Sequence, residues 1–306
     1  MVLKRVIAMM AVLVLAFAVQ GMAEDKPATD PYAGTGTMPR SSGGPDDFGY
    51  IYQDNAAGEG CEDLYNWVDI TGTGTAITLD DNDDGYGGPV SFGFAFPFYG
   101  NDYNEFYVAS NGTIYFVDDY NGLTNICLPG NNSYGIQRFI ALHWDDLIVD
   151  GAIYSQTFTA CPVGQGQCTV IQYHDVLRYG GGTTGMDFEA VLFEDGTILF
   201  QYQSTASGAH DNGESATVGI QDTDTTPPTN ALQYSCNVAA LSPGLAVAFA
   251  PPAAQDANGN PLICSAAAAT PTPFAVPGIP TQSRTGITVF LLALAAGALL
   301  VLRRNS

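Results

Sequence analysis

The sequence predicts an all-β fold, an antiparallel two-sheet β-sandwich, between an N-terminal signal peptide and a single C-terminal transmembrane helix. Short runs of β-branched and aromatic residues recur from Cys61 to Phe249, separated by turn residues. No amphipathic helix of about 12 residues interrupts these runs. Asp195-Gly196 lies between two apolar runs and favours the positive φ of a tight hairpin turn. The same spacing also suits a barrel, and we favour the sandwich.

Residues 1–23 have the pattern of a secretory signal peptide. Lys4 and Arg5 supply the positive start, and an almost continuous apolar run follows. Gly21-Met22-Ala23 offers small residues at the cleavage positions, so we expect cleavage after Ala23. The alternative is an N-terminal anchor that is not cleaved.

The next segment, residues 24–60, is rich in Gly, Pro, Ser and Asp, which predicts a flexible leader with a strand near Tyr50-Ile51-Tyr52. Residues 61–250 are predicted to form the sandwich. Its strand-like runs are Tyr65–Ile70, Thr75–Leu79, Val90–Phe98, Glu105–Ala109, Thr113–Val117, Phe139–Trp144, Ala152–Phe158, Thr169–His174, Met186–Phe193, Thr197–Gln203, Ala216–Gln221 and Leu245–Phe249. Between Phe92 and Phe98, a Phe occupies every second position, which places four rings on one strand face.

After the sandwich, residues 251–278 return to Pro, Ala and Thr and are expected to form an extended linker. Residues 279–306 contain an apolar run, 286–302, followed by Arg303 and Arg304. As a helix this run is roughly 25 Å long, a little short of the ~30 Å hydrocarbon core. It is expected to contact the membrane, either as a permanent anchor or as a tail that is cut and replaced.

The tail resembles the IPTL-type C-terminal sorting signal of Gram-negative bacteria. The resemblance rests on Ile279-Pro280-Thr281, Gly286, the apolar run and the pair Arg303-Arg304. Gln282 and Thr285 stand where family members usually carry Leu and an aromatic residue. The resemblance implies an exosortase-like processing enzyme as partner, with this protein as its substrate.

The net charge of the chain excludes some classes of binding partner. All 31 acidic residues lie between Glu24 and Asp256, against four basic residues in the same stretch, a net charge of −27. Phosphate contacts need clustered cations, so we expect no nucleic-acid binding. An acidic surface that is simply solvated agrees with this composition, as does association with cations.

The six cysteines predict disulfides, since an even number in an exported chain is typical of an oxidised framework. Cys161 and Cys168 flank a short polar loop and are expected to pair locally. The sequence leaves the connectivity of the other four open. We expect Cys127 to pair with Cys236 and Cys61 with Cys264.

Several stretches of the body resemble a secreted bacterial β-sandwich module related to the extracellular nidogen-like domain. They are Phe96-Pro97-Phe98-Tyr99-Gly100, Ser110-Asn111-Gly112-Thr113, Ile140 to Leu147 with its Trp144-Asp145-Asp146, Val191 to Gly196, Ala216 to Gln221, Cys127-Leu128-Pro129 and Gln233 to Asn237. The last two support pairing Cys127 with Cys236. The resemblance implies an extracellular, non-enzymatic display or adhesion module whose ligand is unknown.

A weak calcium site is predicted at Asp80, Asn82 and Asp84. Oxygen ligands at alternate positions before Gly85 match the opening of a calcium loop, although Ser91 stands where the bidentate Glu belongs. The alternative is a solvated acidic loop. Asp145-Asp146, at a strand end, is a second place where carboxylates cap backbone amides or help to hold a cation.

The sequence does not predict an enzyme. The three histidines lack metal-ligand spacing, and pairs such as His143 with Asp145 or His174 with Asp175 need the fold to assemble a site. No Gly-x-Ser-x-Gly motif is present. Glu189 and Glu194 are the best glycosidase candidates, but an odd separation puts them on opposite strand faces.

The function predicted is therefore that of an exported cell-surface or extracellular structural or adhesion module. The alternative is a carbohydrate-binding module, with calcium as a possible helper and no other cofactor.

Overall fold

The structure is a computed structural model that describes residues 33–58, 60–117, 122, 124–130, 137–222 and 230–267. Over these residues the chain forms 14 strands. They are β1 (Ser42–Gly43), β2 (Ile51–Asp54), β3 (Thr75–Ile77), β4 (Tyr86–Phe98), β5 (Asn101–Ala109), β6 (Thr113–Tyr115), β7 (Phe139–Trp144), β8 (Leu147–Phe158), β9 (Cys168–Arg178), β10 (Met186–Phe193), β11 (Ile198–Ser204), β12 (Thr217–Gln221), β13 (Ala231–Cys236) and β14 (Leu245–Ala250). A short helix, α1 (Leu262–Ala267), follows them.

The strands form two antiparallel sheets. The eight-stranded sheet has the order β1-β2-β14-β11-β10-β9-β8-β3, and the six-stranded sheet has the order β13-β12-β7-β6-β5-β4. One apolar core lies between them, with Phe92 and Phe106 from the six-stranded sheet against Ile171 and Phe188 from the eight-stranded sheet. The all-β, two-sheet prediction is confirmed.

The aromatic strand β4 supplies much of this core. Phe92, Phe96 and Phe98 are fully buried, and Phe94 packs against the same cluster while partly exposed. Gly93 has a φ of +77°, and the pairing of β4 with β5 shifts register between Ser91 and Phe96. Phe94 is only partly buried beside this bulge, so full burial of the aromatic face holds for three of the four rings.

The predicted hairpin joins β10 and β11. Leu192 pairs with Ile198 across the turn, and Gly196 has a φ of +86°. The Thr197 amide donates to the Asp195 carboxylate at 2.9 Å. Asp therefore stabilises the turn with its side chain while Gly supplies the left-handed conformation.

The strand expected near Tyr50-Ile51-Tyr52 is confirmed as β2, but the flexible leader predicted around it is wrong for the second half of residues 24–60. β1 and β2 belong to the eight-stranded sheet, where Gln53 pairs with Ala248 of β14. The ring of Tyr52 packs 5.8 Å from Phe249 and 5.4 Å from Tyr234. The Tyr-Ile-Tyr run thus buries aromatic surface that a solvated leader would leave in water.

The linker also starts later than residue 251. Gln255 forms a β-bridge with Pro261, and α1 carries Cys264 into a buried disulfide with Cys61. The folded unit therefore extends beyond both predicted boundaries, 61 and 250. Among the described residues, no helix has the length and apolarity needed to cross a bilayer.

The predicted strand Tyr65–Ile70 is instead an extended strap, residues 65–70, over the outer face of the eight-stranded sheet. Alternate amides of the strap donate to side chains and not to a strand backbone. Asn66 N donates to Gln201 at 2.6 Å, Val68 N to Glu189 at 3.0 Å and Ile70 N to Gln172 at 2.8 Å. Those three acceptors are cross-strand neighbours on β11, β10 and β9.

All six cysteines are paired, which confirms the three expected disulfides. They are Cys61–Cys264, Cys127–Cys236 and Cys161–Cys168. The signal peptide, the sorting residues Ile279, Pro280, Thr281, Gly286, Arg303 and Arg304, and the apolar run 286–302 lie outside the described residues.

Candidate functional site

Polar side chains gather at one end of the sandwich, where several turns meet. We call this set the polar pole. It comprises Ser110 and Asn111 between β5 and β6, Asp145 and Asp146 between β7 and β8, Arg178 at the end of β9, and Ser207 and Ser215 from the segment between β11 and β12. Every member is at most 2 % exposed. Such burial requires the polar groups to satisfy one another.

Asn111 connects three segments at the polar pole. Its side-chain oxygen accepts from the Leu147 amide at 2.8 Å, and its NH₂ donates to Asp84 at 3.0 Å. Gly112 follows with a φ of +76°, and a Cβ there would lie 2.0 Å from the His143 carbonyl oxygen. The Asn-Gly turn is therefore required by both conformation and space.

Asp145 and Arg178 form a buried ion pair beside this turn. Arg178 Nε lies 3.9 Å from Asp145 Oδ2, with both side chains 1 % exposed. Asp145 also accepts from the amide of Asp146 at 2.9 Å and from the hydroxyl of Ser215. Arg178 Nη1 donates to the Tyr179 carbonyl at 2.5 Å. These contacts tie the β7–β8 turn to the end of β9.

A group of three carboxylates borders the polar pole. One oxygen from each of Asp83, Asp84 and Asp146 lies within 4.8 Å of the others. Of the predicted calcium ligands, this group includes Asp84 but not Asp80 or Asn82. The Asp80 carboxylate accepts from the Tyr86 amide at 2.7 Å, which commits it to the loop backbone.

Asp83 and Asp146 both lie outside the predicted ligand set. Asp146 comes from the β7–β8 turn, far away in sequence. The only signal for it was the carboxylate pair Asp145-Asp146 at a strand end. The fold separates the roles of this pair, since Asp145 faces Arg178 while Asp146 joins the carboxylate group. Oxygen ligands of this kind suit a hard cation.

Calcium binding stays a prediction, and titration calorimetry with millimolar calcium tests it. Asp84 belongs to both ligand sets, so Asp84→Asn is expected to remove the binding heat in either case. Asp146→Asn removes it only if the assembled group is the site, and Asp80→Asn only if the sequence-derived set is. No heat with the unsubstituted protein would reject both sets.

The histidines occupy separate places. His143 is buried and stacks on Phe188, with ring centroids 5.3 Å apart. His174 Nδ1 lies 2.6 Å from Asp187 Oδ1, a partner on β10 that sequence reasoning did not consider. His210 faces Glu214 at 3.3 Å. The three-carboxylate group found among the described residues contains none of them.

Trp144 lies in the six-stranded sheet as a core residue. It is fully buried, packs edge-on against Phe139 at 5.5 Å, and its Nε1 lies 3.3 Å from the Gly122 carbonyl. The ring therefore offers no platform to a ligand.

The two candidate glycosidase carboxylates do not share a cleft. Glu189 lies fully buried beneath the strap, where it accepts from Val68 N at 3.0 Å and from the Gln201 side chain at 2.7 Å. Glu194 is exposed beside the hairpin and accepts from Gln167. Burial raises the pKa of Glu189 from its ordinary 4.5 to about 8.

Replacement of Glu189 by Gln is expected to stabilise the protein at neutral pH. The folded state holds the proton more tightly than the unfolded chain, so the residue's stability contribution is full below pH 4.5 and is lost as pH rises through about 8. Glu189→Gln removes this loss, a gain of about 3 kcal/mol at pH 7. No gain is expected at pH 4.

Urea unfolding at pH 4 and pH 7 measures the effect. Exposed Glu194→Gln is the matched control, since it removes the same charge without burial. Equal stability changes in the two variants at pH 7 would contradict the assignment.

One comparison with known proteins gives a match. A family model described as NIDO related covers residues 62–258, more than half of the chain. No curated protein matches, and no solved structure matches.

Proposed function

Because this chain belongs to the NIDO-related family, we propose that its sandwich is an exported module with a structural or adhesive role at the cell surface or outside the cell. The observation that carries the proposal is the pairing of all six cysteines. Structural disulfides persist in oxidising compartments and are rare in the cytosol. The net charge of −27 between Glu24 and Asp256 supports an extracellular surface that stays solvated.

The proposal includes a route of export. Residues 1–23 direct secretion and are removed after Ala23. Residues 279–306 act as a sorting tail that contacts the membrane through 286–302 and is processed by an exosortase-like enzyme. The support for this route is the order of motif, apolar run and arginine pair in the sequence.

Fractionation and mass measurement of the protein from its own cells test the proposal. We expect protein in the envelope or medium, beginning at Glu24 and lacking the apolar run after Gly286. Alkylation without reduction should modify none of the six cysteines. Cytoplasmic protein with reactive thiols would overturn the export proposal, whereas retention of Leu302 would leave only the permanent anchor.

The proposed role is display or binding, without catalysis. It is supported by the separation of Glu189 from Glu194 and by the use of Asp145 in an internal ion pair. Carbohydrate binding is the second candidate function, and an uncharged groove at one edge of the sandwich favours it.

A further inference from the structure

The sandwich is open along one side, where the edge strands β3 and β4 of the two sheets face each other. The opening is a groove of about 540 Å³, which we call the edge groove. Its volume is in the range of small-molecule sites. The wall from the eight-stranded sheet includes Thr75 and Gln156, the opposite wall includes Val90 and Ser91, and Ser155 forms the floor.

The floor of the edge groove is polar, whereas the rest of the core-facing side of β8 is apolar. Along β8, Ile153 faces the core, and Ser155, two residues further, faces the same way. Thr157 then donates from its hydroxyl to the Phe92 carbonyl of β4 at 3.0 Å, which bridges the two sheets beneath the groove. Hydroxyl groups thus replace hydrocarbon at this edge of the core.

Several of these groups retain hydrogen-bonding capacity. Ser155 is only 8 % exposed, and its hydroxyl makes no hydrogen bond with any described residue. The hydroxyl of Thr75, its cross-strand partner, also makes none within the described chain. The side chain of Gln156, the next residue along β8, faces the other side of the sheet, where it accepts from Thr73 at 2.7 Å. The hydroxyls of Ser155 and Thr75 are therefore available to a polar molecule that enters the edge groove.

The charges in and around the edge groove indicate which kind of polar molecule it can bind. The described residues that line the edge groove include none with a charge, although the surrounding protein is strongly acidic. The acidic surface repels an anion, and a cationic ligand would need carboxylates that the lining lacks. A neutral ligand rich in hydroxyl groups meets both conditions.

An added peptide strand fits less well. The β4 edge changes register between Gly87 and Val90 and again between Ser91 and Phe96. Pro89 also lacks an amide hydrogen. Strand addition needs a continuous row of backbone donors and acceptors, and these interruptions remove it.

We propose that the edge groove binds a neutral oligosaccharide, with Ser155 and Thr75 as hydrogen-bonding residues. This proposal deepens the proposed function, on which it rests for the setting in which the module meets such a ligand. Since the part of the groove that the structure describes contains no carboxylate, binding does not depend on calcium.

An array of neutral and anionic oligosaccharides, probed with the purified full-length chain, is the first experiment. We expect binding to at least one neutral glycan, none to uronate-containing or sulfated glycans, and no change with a chelator. Calorimetry then gives the affinity for the neutral glycan that binds.

Substitutions locate the site. Thr75→Val and Ser155→Ala together should weaken binding about tenfold or more, because each removes a hydrogen bond. Thr184→Val, which removes an exposed hydroxyl outside the groove, should leave affinity unchanged. Thermal unfolding checks that the variants fold, and the exposed Thr75→Val alone remains informative if Ser155→Ala does not.

The proposal is overturned if no neutral glycan binds, if the groove variants bind as tightly as the unsubstituted chain, if a chelator abolishes binding, or if an extended peptide competes for the site. These outcomes concern the purified protein. They are independent of fractionation, so a failed glycan test leaves the export proposal standing.

Discussion

Replacing Cys61 and Cys264 together by alanine is expected to lower the free energy of unfolding by about 5 kcal/mol. The disulfide spans a sequence separation of 203 residues, so its loss frees the unfolded chain over most of the domain. Loop-closure entropy grows with the logarithm of this separation. The bond also joins the segment before the strap to α1, and both sulfurs are buried.

The matched control is the local disulfide Cys161–Cys168, which spans a separation of 7 residues. Its double alanine variant is expected to lose about 2 kcal/mol. Urea unfolding of the two variants and the unsubstituted protein, all under oxidising conditions, measures the difference. If the Cys61–Cys264 variant loses no more unfolding free energy than the control variant, the long disulfide does not stabilise the protein by restricting the unfolded chain.

The same bridge explains why the domain boundaries were missed. Composition predicts a flexible leader at 24–60 and an extended linker at 251–278, yet Tyr50, Tyr52 and Ile263 of these segments lie in the core. Contacts that are distant in sequence hold these segments on the sandwich. They include the ring contact of Tyr52 with Tyr234 and the disulfide at Cys264. Local composition does not report such long-range contacts.

The strands predicted best are those whose pattern and turn chemistry agree. The bounds of β7 and β10 are those expected from the sequence, and β10 ends at the predicted Asp-Gly turn. The strap shows the opposite case. Its aromatic and β-branched residues correctly indicate an extended chain, but composition does not identify the hydrogen-bonding partner. Here the partners are the side chains of Gln201, Glu189 and Gln172.

Functional groups were harder to predict than strands. The loop pattern led to Asp80, Asn82 and Asp84, whereas the fold groups Asp84 with Asp83 and Asp146. The edge groove had no sequence signal, because hydroxyl residues on separate strands become a site only when two sheet edges face each other.

Arg178→Met is expected to destabilise the protein by about 3–5 kcal/mol, because it leaves the Asp145 carboxylate buried without its cation. The two side chains are each 1 % exposed, so water cannot replace the lost partner. Methionine is shorter than arginine but keeps the apolar stem of the side chain. Asp145→Asn should also destabilise, since it leaves the guanidinium of Arg178 buried without a countercharge.

The double variant distinguishes an ion-pair effect from simple loss of packing. Combining Arg178→Met with Asp145→Asn removes both charges, so the loss should be smaller than the sum of the single losses by about 1–3 kcal/mol. Arg138→Met is the control, because its pair with Asp222 is 3.8 Å long and the arginine side chain is 38 % exposed. A pair of that kind is expected to contribute no more than about 1 kcal/mol. In urea unfolding, the double variant could instead lose the full sum of the two single losses in unfolding free energy. That result would mean that the opposite charges of Arg178 and Asp145 do not stabilise each other and that hydrogen bonds hold the polar pole together.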